Sequence, residues 1–311
     1  MSKKLSRIFV LFAIILTLIF FFLRSASIPV SELKLQYANS ESEYVEIEGI
    51  QVHYRIEGSG PAIVLIHGTG ASLHTWDGWV SKLKEKYTLY RLDLPAFGLT
   101  GPTIDRDYSL ENYVEFVDAF TLSVGLDTFA LAGNSLGGNI AWQYALIHPD
   151  KVNRLILVDA SGYPLEEPTK ALAMQIAQNP FLSPLLLHIT PRRLVYKNLE
   201  QVYGDPSKIE ESTVDRYHHM ILRSGNRHAF VDRANTTFTD ATNLIPTITC
   251  PTLLLWGEKD TWVPPTMGHR FNKEISNSSL ILYPGVGHIP MEEIPNKTAT
   301  DVDDWLTQQK N

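Results

Sequence analysis

The sequence predicts an α/β fold: a mostly parallel β-sheet flanked by helices, with a helical insertion over one end. Three observations lead there. Short continuous apolar runs of strand length recur along the chain, of the kind found in strands buried on both faces. Helical patterns lie between several of them, which implies parallel strands joined by crossovers. One long stretch, between residues 159 and 251, has no such run and is rich in helix formers.

In chain order, the first signal is an apolar run without charge, "IFVLFAIILTLIFFFL" at 8–23, preceded by Lys3, Lys4 and Arg7 and closed by Arg24. As a helix it would span about 24 Å, against about 30 Å for a hydrocarbon core. It reads as a signal anchor over residues 1–27, or as a signal peptide cleaved near "SAS" at 25–27. In either case the positive residues stay on the cytoplasmic side. The expectation is a membrane-anchored protein with its main domain on the exported side, or a secreted one. Residues 28–43 read as a polar connector. "YVEIEG" and "QVHYRIEG" then alternate apolar and polar residues between glycines, as an antiparallel hairpin does.

The buried-type strands are "AIVLIHG" (62–68), "YTLYRLDL" (87–94), "TFALAG" (128–133), "RLILVDA" (154–160), "TLLLWG" (252–257) and "SLILYPG" (279–285). Residues 109–124 carry apolar positions at 110, 113, 114, 116, 117 and 120, a helical face. Helices are also expected over 139–147 and 298–309. The predicted core is therefore 44–161 together with 247–311. A structureless loop of ninety residues is improbable, so 162–246 is expected to form a helical cap.

Composition narrows the function. The 311 residues are 44% hydrophobic and 20% charged, ordinary globular usage, with a formal charge of −7. That balance lacks the basic footprint of a nucleic-acid binder. The single cysteine, Cys250, excludes an internal disulfide.

The chemistry is concentrated at predicted strand ends. Ser135 lies in G-N-S-L-G, after a buried strand and before a helix. A serine there is either a helix cap or a nucleophile on a tight turn. A hydroxyl is a weak nucleophile and needs a base oriented by a third group. His288, just after the last strand, is the candidate base, and Asp260 in "WGEKDTWVPP" the candidate acid. Asp159, ending "RLILVD", is the rival acid. Of the other histidines, His269 sits in a predicted helix and His218, His219 and His228 fall in the cap. Asp93 is expected to be structural, fixing the loop that follows it. Acyl transfer also needs N–H donors for a developing oxyanion, expected from Leu136 and Thr69. Gly68 and Asn134 are expected to border the substrate.

The strings HGTG (67–70), DLPAFG (93–98), GNSLGG (133–138), WGEKD (256–260) and GVGH (285–288) together resemble the α/β-hydrolase family, over about residues 44–310. The resemblance implies a Ser135–Asp260–His288 triad and no metal or organic cofactor. Haloalkane dehalogenases and epoxide hydrolases share the scaffold but use an aspartate nucleophile. GNSLGG is similar to the hydrolases of meta-ring-fission products, which cleave carbon–carbon bonds. Those enzymes usually carry a tryptophan soon after the catalytic histidine, where this chain has "HIPMEE". The stretch 133–163 also resembles exported bacterial lipases and monoacylglycerol lipases. The leading expectation is an esterase acting on an apolar or lipidic small-molecule ester. Carbon–carbon hydrolysis and a non-catalytic, membrane-tethered binding module are the alternatives.

Overall fold

The computed structural model describes residue 12 and residues 23–164, 172–237 and 239–308. Apart from Phe12 and Leu23, the apolar run read as an anchor lies outside the described residues. Among the described residues no helix is long and apolar enough to cross a membrane.

A helix, α1 (Val30–Tyr37), precedes the sheet. It falls inside the stretch expected to be a plain polar connector. Its apolar residues are only Val30, Leu33, Leu35 and Tyr37, too few for a clear periodic signal. Leu33 alone is fully buried and packs with Leu99 and Met220. The strands are β1 (Ser42–Ile47), β2 (Ile50–Gly58), β3 (Ala62–Ile66), β4 (Thr88–Leu92), β5 (Phe129–Asn134), β6 (Val152–Val158), β7 (Thr252–Gly257) and β8 (Ser278–Tyr283). They form one sheet in the order β1-β2-β4-β3-β5-β6-β7-β8. β1 and β2 make the expected antiparallel hairpin, and β2 runs antiparallel to β4. From β4 to β8 every neighbouring pair is parallel.

Alternate residues of the central strands feed two separate cores. Val64, Ile66, Leu131, Leu155 and Leu157 face one; Ile63, Leu65, Ala130, Ala132, Ile156 and Val158 face the other. This is why these strands read as unbroken apolar runs: neither face meets water. The helices α3 (Leu110–Ser123), α4 (Leu136–Ile147) and α10 (Pro265–Glu274) cover the first face. Helices α2 (Asp77–Leu83) and α12 (Pro295–Gln308) cover the second, tied by a hydrogen bond from Trp79 Nε1 to Thr298 Oγ1 at 2.9 Å. Ser109 caps α3 through its side chain, which accepts from the Asn112 N–H.

Between β6 and β7 the described residues hold no sheet strand and five α-helices: α5 (Leu172–Gln178), α6 (Ser183–Leu186), α7 (Arg192–Val202), α8 (Glu211–Leu222) and α9 (Asn226–Ala234). A short helix, α11 (Pro290–Glu293), follows β8.

Candidate active site

The turn between β5 and α4 carries Ser135 at φ 54°, ψ −115°. A non-glycine residue seldom adopts positive φ, and the strain has to be held by its surroundings. Here the Ser135 N–H donates to Val158 O at 3.1 Å, and its C=O accepts from the N–H groups of Asn139 and Ser161 and from Ser161 Oγ. The side chain makes no capping bond to the helix it precedes. Ser135 is therefore not a conventional helix cap. Its hydroxyl is partly exposed, and the residue borders a cavity of about 950 Å³. Close approach sets the neighbouring glycine: a Cβ on Gly137 would lie 2.3 Å from Ile66 O. The start of α4 thus rests directly on the end of β3.

His288 follows β8 and is almost wholly buried, yet it borders the same cavity. Its Nδ1 lies 2.6 Å from Asp260 Oδ2. Asp260 sits just beyond β7 and accepts the N–H groups of Trp262 (2.8 Å) and Val263 (3.0 Å) on its other oxygen. A carboxylate oxygen accepts, so the imidazole faces Asp260 with its Nδ1–H and keeps Nε2 as its acceptor.

The rival acid, Asp159, is fully buried at φ 44°. Its Oδ1 accepts the Gly257 N–H at 2.9 Å, and no donor reaches Oδ2. Ligand atoms of Asp159, Asp260 and His288 all lie within 4.8 Å of one another. The imidazole bond nonetheless goes to Asp260. Burial, and then the neighbouring Asp260 carboxylate, push the Asp159 carboxyl well above the usual range. His288 Nδ1 and Asp260 Oδ2 engage each other, and Asp159 stands beside that pair with its Oδ2 unbonded.

Thr69, Gly68, Asn134 and Leu136 all border the cavity beside Ser135. The Thr69 and Leu136 N–H groups make no hydrogen bond among the described residues. Gly68 allows the loop after β3 to pass close to the serine: a Cβ there would lie 2.8 Å from Asn134 Oδ1 and 3.1 Å from Ser135 Cβ. Asn134 also has a structural role. Its Nδ2 donates to Val158 O and to His288 O, each at 3.1 Å. The side chain ties the histidine loop to the end of β6 while the residue borders the cavity.

Two conspicuous motif residues are structural. Fully buried His67 donates from Nδ1 to Gly68 O (2.8 Å) and accepts the Leu94 N–H on Nε2 (3.0 Å). Burial pushes its pKa down, so it stays neutral. Asp93 accepts from Leu73 N, Leu99 N and His53 Nδ1 at 2.7–2.8 Å. Burial alone would raise its pKa; the His53 hydrogen bond and nearby histidines hold it well below the usual carboxylate range.

Several supports escaped sequence reasoning. The His288 N–H donates to Val202 O at the end of α7, so the helical insertion itself holds the histidine. Buried Glu293, within "HIPMEE", accepts the N–H groups of Gly204, Asp205 and Gly287 at 2.8–2.9 Å. Its neighbour Glu292 binds Arg216 and Tyr217 of α8. No spacing announces these bonds, because most of their partners are distant in sequence and many are main-chain groups.

A family model described as the alpha/beta hydrolase fold matches residues 61–295. The 2-hydroxy-6-oxononadienedioate/2-hydroxy-6-oxononatrienedioate hydrolase 1 of Dechloromonas aromatica is 27% identical over 280 residues, 86% of this chain and 95% of the relative. The crystal structure of a membrane phospholipase A, described as a bacterial virulence factor, superposes with a TM-score of 0.76 at 25% identity, covering 100% of both chains. A putative lipase of Acinetobacter baumannii AYE gives 0.75 at 26% identity, over 91% of this chain and 97% of the other. The match spans most of the sequence, and the eight-stranded sheet with its strand–turn–helix at Ser135 agrees with it: the chain belongs to the alpha/beta hydrolase family.

Proposed function

We propose that this hydrolase cleaves a carboxylic ester with an apolar or lipidic acyl group through an acyl-enzyme. The observation that carries the reading is the strained, uncapped Ser135 sharing one cavity with His288, whose far nitrogen is fixed by Asp260. Ser135 Oγ attacks the carbonyl carbon as His288 Nε2 takes its proton. Asp260 stabilises the imidazolium and holds its tautomer. The Thr69 and Leu136 N–H groups receive the oxyanion, each worth on the order of a hundredfold in rate. Collapse expels the alcohol, which takes its proton from His288. A water deprotonated by His288 then releases the acid and frees Ser135. The cavity wall supports an apolar acyl chain, with Leu186, Leu194, Phe230 and Trp262 among its lining. No step requires a metal or organic cofactor. The apolar run at 8–23, outside the described residues, is proposed to anchor the enzyme with its catalytic domain on the exported side.

A second reading keeps Ser135 and His288 but cleaves a carbon–carbon bond in a vinylogous diketone acid. Two observations favour it: buried Arg233 borders the cavity, where a guanidinium suits a substrate carboxylate, and the Dechloromonas relative carries a name of that type. Turnover of an ester series of increasing acyl length, run beside a ring-fission analogue with Ser135→Ala as control, separates the two. Ester cleavage favouring longer chains supports the proposal. Turnover of the analogue with no ester cleavage overturns it.

A further inference from the structure

Among the described residues, four large apolar side chains exposed to solvent fall on α5, α6 and the turn that joins them: Leu172 is 39% exposed, Phe181 87%, Leu182 43% and Leu185 47%. The others beyond residue 28, Leu35, Ile104, Leu122, Ile147 and Leu244, are far apart in sequence. Isolated exposure is ordinary, whereas a run of it marks an interaction surface. Phe181 is held at the tip between α5 and α6, because Asn179 Oδ1 accepts the N–H groups of Phe181 (2.9 Å) and Leu182 (3.2 Å). The opposite side of the same helices faces inward: Met174, Gln178 and Leu186 line the cavity that holds Ser135.

The chain after the apolar run is fastened to this region. Ser25 N–H donates to His188 O at 2.7 Å, and Thr190 N–H donates to Ser25 Oγ at 3.2 Å. Arg227, itself lining the cavity, donates to Ser25 O (3.0 Å) and Ser27 Oγ (2.8 Å). Ile28 pairs with the end of α8 through Leu222 O and the Ser224 N–H. His188 follows α6 by two residues, and Leu23 precedes Ser25 by two, at most about 7 Å of extended chain. The end of the apolar run therefore emerges beside the exposed apolar face.

We infer that the outer face of α5 and α6 docks on the lipid bilayer entered by residues 8–23, and that the ester passes from that bilayer beneath these helices to Ser135. The inference rests on the ester-hydrolase reading for its substrate and on the proposed anchor at 8–23 for its docking surface. Burial of four large side chains in the headgroup–acyl boundary removes the cost of exposing them to water. The clamp at residues 25–28 fixes which face turns to the membrane.

Two measurements on the full-length protein in phosphatidylcholine vesicles test it. The first reads contact: the Phe181→Trp variant is expected to show fluorescence beyond wild type that brominated phosphatidylcholine quenches. Added fluorescence that the bromolipid leaves unquenched overturns the docking, including the case in which residue 181 cross-links to a second copy of the chain. The second reads passage: Phe181→Glu with Leu185→Glu should slow hydrolysis of a long-chain ester carried in the vesicles by about tenfold or more. Hydrolysis of a dissolved short-chain ester should stay within about twofold, since neither side chain lines the cavity. Equal losses on both esters overturn passage from the bilayer. If the wild type cleaves no ester, the functional reading fails, and the quenching result still decides the docking.

Discussion

Ser135 occupies a backbone conformation that a helix cap would not require, and the hydroxyl it presents makes no bond to the helix. Ser135→Ala is expected to lower ester turnover by about 10⁴-fold or more while leaving the circular dichroism spectrum intact. Asp260→Asn should cost a comparable factor, because an amide could present its N–H to His288 Nδ1 and reverse the tautomer. Asp159 has a different role despite lying in the same cluster. Its pKa is raised, and Asp159→Asn, uncharged, keeps an acceptor for the Gly257 N–H. Turnover in that variant should remain within about tenfold of wild type. The sign of the pH effect follows from the raised pKa. The native state holds a proton that the unfolded chain releases above about pH 4, so wild-type stability falls as pH rises through the native pKa. Asp159→Asn removes that loss, so the difference between its urea midpoint and that of wild type should move in the variant's favour as pH rises above about 4. A difference that stays constant from about pH 4 upwards would count against a raised Asp159 pKa.

At the scale of elements, the site is a set of strand ends brought to register by close contacts. α4 begins against β3, and a methyl on Gly137 would meet the Ile66 and His67 carbonyl oxygens. Gly137→Ala should therefore destabilise the fold by about 2–4 kcal/mol, measured by denaturant unfolding, or move the serine enough to reduce turnover. The histidine loop hangs on Glu293, whose carboxylate collects three main-chain N–H groups. Glu293→Ala would leave those donors unsatisfied, with an expected drop in kcat of about tenfold or more and little change in KM. Glu293→Gln, which retains one acceptor, should recover part of it. Much of this was legible in the sequence because the strands are buried on both faces and so read as continuous apolar runs. Ser135, Asp260 and His288 could be placed at the same edge for a related reason: each lies two or three residues beyond such a run. Helix α1 and the Glu293 contacts were not legible. The first buries a single residue, Leu33, and the second joins a side chain to main-chain groups with no sequence signature. Nor were the bonds of the Asn134 amide legible, because a position beside the serine says nothing about where that amide points.

At the scale of the whole molecule, the insertion between β6 and β7 is part of the machinery. Val202 holds the His288 N–H, Glu292 binds α8, and α5 and α6 wall the cavity. Asp93 joins the other half of the site, linking β2, the Leu73 turn and the Leu99 loop through one buried carboxylate. Its lowered pKa means that its stabilisation is present above the unfolded carboxylate pKa of about 4 and is lost as pH falls below it. Asp93→Ala, which strands three donors in the core, is expected to destabilise by about 3–5 kcal/mol in denaturant titrations. All of these contacts serve one claim, that Ser135 is an activated nucleophile. The most direct measurement is labelling with a serine-reactive alkyl phosphonate followed by peptide mass spectrometry. The account predicts a single adduct on Ser135 that is lost in His288→Ala. An unlabelled Ser135 in the wild-type protein, or labelling that persists unchanged without His288, would contradict it.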